Sequence, residues 1–125
     1  RNDRYEAFGK IAARLDDVVN WVPARLTGAL FALASGRHAT RALRVMARDA
    51  DAHRSPNAGW PEGAMAGALN VRLSGPRVYG THIAEEPWLN PKAPDPTPGD
   101  LARGLSLYRR AMALMVLALA ALALL

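Results

Sequence analysis

Apolar residues gather in two stretches of the chain, with a long hydrophilic section between them, although the mean hydropathy of −0.05 hides this. The clearer stretch closes the sequence: residues 111–125 carry no polar side chain, and seven of them are Leu or Val. On an insertion scale these contribute roughly −2 to −4 kcal/mol in favour of a bilayer. As a helix the run covers about 22 Å, short of the ~30 Å hydrocarbon thickness. Tyr108, Arg109 and Arg110 stand at its entrance as interfacial anchors, and Asp100 after Gly99 is the expected N-cap of a helix starting near Leu101. A C-terminal membrane helix over 101–125 is expected, the alternative being a buried helix of a soluble bundle. The second stretch, residues 18–35, carries Asn20, Pro23 and Arg25 in its first half. One mid-helix Arg costs about 2.5 to 3.5 kcal/mol and nearly cancels the apolar gain, so insertion needs partner helices, with Arg25 facing protein, water or an anion. Pro23 is expected to kink this helix.

The section between, residues 36–110, divides by the same reading. Residues 39–52 have helical periodicity, with Arg41, Arg44 and Arg48 on one face and Leu43, Met46 and Ala47 on another. A turn-rich loop, Ser55-Pro56-Asn57-Ala58-Gly59-Trp60, precedes a helix expected to open with Pro61 at its first position and Glu62 in its first turn. Gly63 and Gly67, with Ala64 and Ala68 beside them, form a small-residue face suited to close helix packing or, alternatively, to a large planar ligand. Residues 71–83 suit two short strands around Ser74-Gly75-Pro76. Residues 87–100 hold five prolines in fourteen positions and read as an extended linker. The organisation expected is one mainly α fragment of a polytopic membrane domain: residues 1–35 a motif segment and kinked membrane helix, 36–86 the basic helix, loop and hairpin, 87–100 the linker, and 101–125 the last helix.

Length and charge narrow the classes. With 125 residues there is room for one domain. The sequence opens on Arg1, so a start upstream is expected. Lys and Arg number 16 against 11 Asp and Glu, and all but Lys10 and Lys92 of the basic residues are Arg. Phosphate, carboxylate or an anionic membrane surface is the matching partner. Residues 36–110 carry 11 basic and 7 acidic residues, with basic clusters flanking both apolar stretches, and are expected to face the cytoplasm. The absence of cysteine excludes a disulfide scaffold, a Cys-ligated zinc and a cysteine nucleophile. Walker, dinucleotide and Gly-x-Ser-x-Gly motifs are missing, and nucleic acid is not an expected partner.

Two places carry residue types with chemistry. Asp16 and Asp17 lie within helical reach of Arg14 and Asn20, and adjacent carboxylates could hold magnesium with phosphate or water completing the shell. Helix capping or a surface pair with Arg14 is the alternative. In the second place Pro56 and Pro61 stiffen the loop, Gly59 permits close backbone approach, and the following helix offers N–H groups to an anion. Arg48, His53 and Arg54 lie just upstream. The alternative there is an ordinary helix entry with solvated arginines.

The strings Arg1-Asn-Asp-Arg-Tyr-Glu-Ala-Phe-Gly, Ala13-Arg-Leu-Asp-Asp, Asn20-Trp-Val-Pro-Ala-Arg-Leu-Thr, Arg54-Ser-Pro-Asn-Ala-Gly-Trp-Pro-Glu and Ala64-Met-Ala-Gly-Ala-Leu occur in order over residues 1–90. Together they closely resemble the C-terminal part of the adenosylcobinamide-phosphate synthase (CobD/CbiB) family of cobalamin biosynthesis. The resemblance implies a multi-pass protein of the inner membrane that uses ATP and Mg2+ to join adenosylcobyric acid to aminopropanol or its O-phosphate through an amide. Other corrinoid-pathway membrane enzymes are implied as partners. Under that resemblance Asp16 and Asp17 are assigned to magnesium, and Arg14, Arg25, Arg48 and Arg54 to phosphates or the corrinoid carboxylate. Asn20, Ser55 and Gly59 join the substrate-binding set, Asn57 orients, and His53 or Glu62 accepts a proton. A non-catalytic membrane sensor or structural protein on a related scaffold is the alternative.

Overall fold

The computed structural model describes residues 3–125, so Arg1 and Asn2 of the first family string lie outside the described residues. Five helices carry the chain: α1 (Asp3–Val19), α2 (Trp21–Ala34), α3 (Ala39–Asp49), α4 (Gly59–Leu69) and α5 (Pro98–Ala123). Four short strands, β1 (Leu73–Ser74), β2 (Arg77–Tyr79), β3 (His82–Ala84) and β4 (Trp88–Leu89), lie between α4 and α5. The mainly α class expected of the sequence is the one observed.

Helices α2, α3 and α4 pack around Phe31, Ala32, Ala42, Met46, Ala64 and Ala68, and α5 closes this core with Leu107 and Ala111. Small residues make the packing close. A Cβ on Gly67 would stand 2.7 Å from Ala42 Cα, and one on Gly63 would stand 3.1 Å from Met46 Cα. Only hydrogen fits where α3 and α4 touch, so the small-residue face of α4 serves helix packing. The buried face of α3 is Ala42, Val45, Met46 and Asp49, whereas Leu43 and Ala47, grouped with Met46 by the sequence pattern, are exposed. Arg41 is not left to lipid: its Nε donates to Gly67 O at 2.6 Å and a terminal nitrogen donates to Ala68 O at 3.0 Å. It thereby satisfies carbonyls that the end of α4 leaves open.

Several boundaries differ from those expected. The first helix begins at Asp3, and a turn at Asn20 separates it from α2. Pro23 is the third residue of α2, and the interruption at Asn20 falls beside Val19, whose carbonyl the missing Pro23 N–H would have met. Helix α4 starts at Gly59, placing Pro61 third instead of first. For α5 the N-cap is Thr97, with Pro98 at the first position. Asp100 is its capping-box partner, accepting from Thr97 N–H at 2.8 Å while Thr97 Oγ1 accepts from Asp100 N–H at 3.3 Å.

Two small antiparallel sheets replace the strand pair expected around Ser74-Gly75-Pro76. Leu73 and Ser74 pair with Leu89 and Trp88, and Arg77–Tyr79 pairs with His82–Ala84 across Gly80 and Thr81. Gly75, at φ +83°, lies against the Trp88 ring, which leaves no room for a side chain there. The proline-rich 87–100 segment is anchored rather than extended free. Leu89 is fully buried beside Val45 and Ala66, and Asn90 N–H donates to Asp49 Oδ2 at 2.7 Å. Further along, Arg72 stacks over Trp88 at 4.3 Å and forms a two-point ion pair with Asp95 at 2.6 and 2.8 Å.

Helix α5 is the one described helix long and apolar enough to cross a membrane by length and composition, which suggests membrane association. At 1.5 Å per residue its 26 residues span about 39 Å, more than the hydrocarbon layer. Its first half packs on α2 and α4, while residues 115–125 are all exposed, unlike a buried bundle helix. The other apolar helix, α2, has 14 residues, too few to span.

Candidate functional site

A cavity of about 340 Å³ opens where the end of α1, the first two turns of α2 and the 55–61 loop meet, lined by Asp16, Asp17, Asn20, Thr27, Ser55 and Asn57 among others. The two places singled out in the sequence therefore converge. Their link is a hydrogen bond across forty positions, in which Asn57 Nδ2 donates to the backbone oxygen of Asp17 at 2.9 Å. Local chemistry prepares each side. Asn20 Nδ2 donates to Asp16 Oδ1 at 2.9 Å, fixing that carboxylate by an i,i+4 contact. Ser55 Oγ accepts from the N–H groups of Asn57 and Ala58 at 3.4 and 3.2 Å, tying the loop into a turn just before α4. Ser55 thus occupies the two N–H groups immediately ahead of α4.

Asn57 is buried, yet its Oδ1 has no hydrogen-bond partner, and the buried Trp60 indole N–H has none either. A buried carbonyl oxygen without a donor costs about 1–3 kcal/mol unless something else meets it. In a cavity already lined by two carboxylates, a hard cation is the matching species. Among the described residues no group of three or more Asp, Glu or His could hold a metal by itself. The donor set fits magnesium of the kind bound by one or two carboxylates and completed by water and phosphate, and does not amount to an all-protein cage.

The remaining expected site residues do not line this cavity. Arg25 lies over the rings of Trp21 and Trp60 at 3.9 and 4.3 Å and donates to Trp21 O at 2.8 Å, so cation–π stacking accounts for its half-buried position. Arg48 is held by Asp49 at 2.6 and 2.7 Å, and that pairing holds the Asp49 carboxyl below its ordinary range. Arg54 faces Glu86 at 3.6 Å, and Arg14 is exposed on α1. His53 Nδ1 accepts from Ser55 N–H at 3.0 Å and its Nε2 stands 3.6 Å from Glu62 Oε2. This pair braces the loop from behind. Gly59 approaches the backbone of Ala50 so closely that a Cβ there would collide with its carbonyl oxygen, making its role at this point one of packing. Sequence reasoning missed Thr27 and Ala24 in the lining and the unpartnered Trp60. Spacing could have found the first two, since Asn20, Ala24 and Thr27 recur at i, i+4 and i+7.

Comparison with known proteins gives this geometry a family. The model of the family described as CobD/Cbib protein matches residues 1–108. Cobalamin biosynthesis protein CobD of Rhodobacter capsulatus is 72% identical over 117 residues, covering 94% of this chain and 37% of the relative. The protein of that name in Brucella suis is 62% identical over 94 residues, covering 71% and 29%. In Klebsiella pneumoniae it is 42% identical over 110 residues, covering 86% and 34%. The chain spans about a third of the length of these relatives. No solved structure matches it. With a family model matching most of its length and a relative of such high identity, the chain belongs to the CobD/CbiB family of cobalamin biosynthesis proteins.

Proposed function

We propose that this chain is part of an adenosylcobinamide-phosphate synthase, and that the cavity between α1, α2 and the 55–61 loop handles the phosphate chemistry of amide formation. The reaction joins the carboxylate of adenosylcobyric acid to the amine of aminopropanol or its O-phosphate. A free carboxylate does not form an amide spontaneously in water, so ATP supplies the drive. The carboxylate oxygen attacks the terminal phosphorus, ADP leaves, and an acyl phosphate forms. The amine then attacks the acyl carbon, loses a proton, and inorganic phosphate departs. Magnesium, when bound, neutralises phosphate charge during these steps.

The chain's own residues have these roles in the proposal. Asp16 and Asp17 present carboxylate oxygens to the metal, with Asn20 keeping Asp16 in place. Asn57, tied to the Asp17 backbone, offers its free Oδ1 to the same species or to the amine N–H. Arg25, held flat between two tryptophans, is positioned beside the site, and His53 with Glu62 positions the loop. A cavity of this size suits a phosphate chain or a small amino alcohol, and the corrin ring must lie outside it. The setting proposed is a multi-pass inner-membrane protein with residues 36–110 on the cytoplasmic side. One observation carries the reading: in a family of cobalamin biosynthesis proteins, an unpartnered buried amide oxygen shares a cavity with two adjacent carboxylates.

The test is corrinoid amidation by the full-length membrane protein carrying this segment. Asp17→Asn and Asn57→Ala are each expected to lower kcat by about 10²-fold or more, as for loss of one charge-stabilising group. Raised Mg2+ should partly restore the Asp17→Asn variant. Undiminished turnover in either variant removes that residue from the mechanism, and undiminished turnover in both overturns the assignment.

A further inference from the structure

A second cavity, of about 590 Å³, lies where the ends of α2 and α4 meet α5, on different residues from the site above. Arg37, Arg103 and Arg110 line it together with His38 and Ser106, and none of its lining residues is acidic. Its apolar wall is Leu69, Ala68 and the buried Leu107. Not all of this charge is available. Arg103 is engaged by Asp100 and by Leu69 O. His38 Nε2 accepts from Arg37 Nε at 3.3 Å, as a neutral imidazole does, and desolvation together with Arg41, Arg37 and Arg103 holds its pKa below the ordinary value. Arg37 and Arg110 are left without any carboxylate against them among the described residues, facing one hollow.

The position of the hollow selects the anion. Arg110 is the last charged residue before the apolar run. On a helix the face that lines the cavity through Arg103, Ser106, Leu107 and Arg110 continues through Leu114, Leu117 and Ala121, at spacings of three and four. A ligand seated between Arg37 and Arg110 therefore has a polar end in the hollow and an apolar track leading away along α5. A diester phosphate carrying acyl chains matches both, and guanidinium groups suit its paired oxygens. We propose that this cavity seats the phosphodiester headgroup of an anionic phospholipid, with its acyl chains lying along the exposed end of α5. The assignment rests on α5 entering the bilayer.

Native mass spectrometry of the chain in mild detergent, titrated separately with phosphatidylglycerol, phosphatidylcholine and inorganic phosphate, tests it. Phosphatidylglycerol is expected to bind at least about tenfold more tightly than phosphatidylcholine. Arg37→Gln and Arg110→Gln should each weaken it about fivefold, and together about twentyfold, with unchanged far-ultraviolet helicity. Equal binding of the two lipids, or an affinity indifferent to both substitutions, overturns the proposal. Displacement of the lipid by an equal concentration of inorganic phosphate shows a free-phosphate site and overturns the lipid assignment. Flotation with phosphatidylcholine vesicles checks the premise separately. A chain that floats but shows no headgroup preference refutes only this inference, whereas one that does not float refutes the bilayer reading of α5 and the lipid site with it.

Discussion

Substituting Gly67 by Ala should destabilise the chain, against the general tendency of that exchange in a helix. Ala in place of Gly in a helix interior ordinarily gains about 1 kcal/mol. Here the added Cβ would lie 2.7 Å from Ala42 Cα, 2.8 Å from Arg41 O and 3.0 Å from Val45 Cβ. Two of those atoms belong to the α3 backbone, so no side-chain rotation relieves the clash and the helices must separate. Overpacking of this kind costs about 1–3 kcal/mol. Separation also stretches the two hydrogen bonds from Arg41 to Gly67 O and Ala68 O, a charged-donor contribution of about 1.5–3 kcal/mol at risk in part. The net expectation is a loss of about 2 kcal/mol. Gly104→Ala supplies the contrast, because its Cβ would meet only Leu69 Cδ1 at 3.4 Å and Met65 Sδ at 3.9 Å, both flexible side-chain ends. That variant should be neutral or gain up to about 1 kcal/mol. Denaturant titration in mild detergent, followed by tryptophan fluorescence, measures both. A Gly67→Ala chain as stable as the parent, or less affected than Gly104→Ala, would refute the packing argument.

Two further predictions concern stability. Asp49 joins α3 to the segment after β4, and its carboxyl is held below the ordinary 3.8 chiefly by the hydrogen bond from Arg48, with Asn90 N–H adding to it. A depressed folded pKa means stability that is complete above the unfolded value and lost as pH falls through the folded one. Thermal melts from pH 6 downward should show this loss below about pH 4. Asp49→Asn should lower the neutral-pH stability by about 1–2 kcal/mol and flatten that acid limb, and an unchanged limb would contradict it. Thr97→Ala removes the cap of α5 and should cost about 1 kcal/mol. The denaturation midpoint should fall accordingly, and an unchanged midpoint in the variant would show the side-chain cap to be dispensable beside the bond from Asp100 N–H to Thr97 O.

Helix content and the large divisions were legible because they follow from periodicity, and the apolar end of α5 needed no tertiary information. Boundaries were less so. Asp100 looked like a cap by residue type, but Thr97 three positions earlier completes the reciprocal pair, and only backbone geometry distinguishes them. The 87–100 segment misled because proline content describes a chain's stiffness and not what lies beneath it. Leu89 is buried by tertiary contacts with α3 and α4. At the site, adjacency of Asp16 and Asp17 and the stiff loop around Asn57 drew notice by composition, and their meeting across forty positions is a long-range fact. The arginines were hardest to place. Arg25, Arg41 and Arg48 look alike in sequence, yet one stacks on tryptophans, one closes a helix end and one pairs with its neighbour.

The crowding around Met46 has a consequence for inheritance. A methyl at position 28 would run into the Met46 sulfur at 2.6 Å, whereas one at position 63 would meet the Met46 Cα at 3.1 Å. The Met46 sulfur ends a flexible side chain and can swing aside, but the Trp60 carbonyl oxygen stands 3.0 Å from that same methyl and belongs to the backbone. Among descendants of this gene, glycine should therefore persist at both 28 and 63 whatever residue 46 becomes.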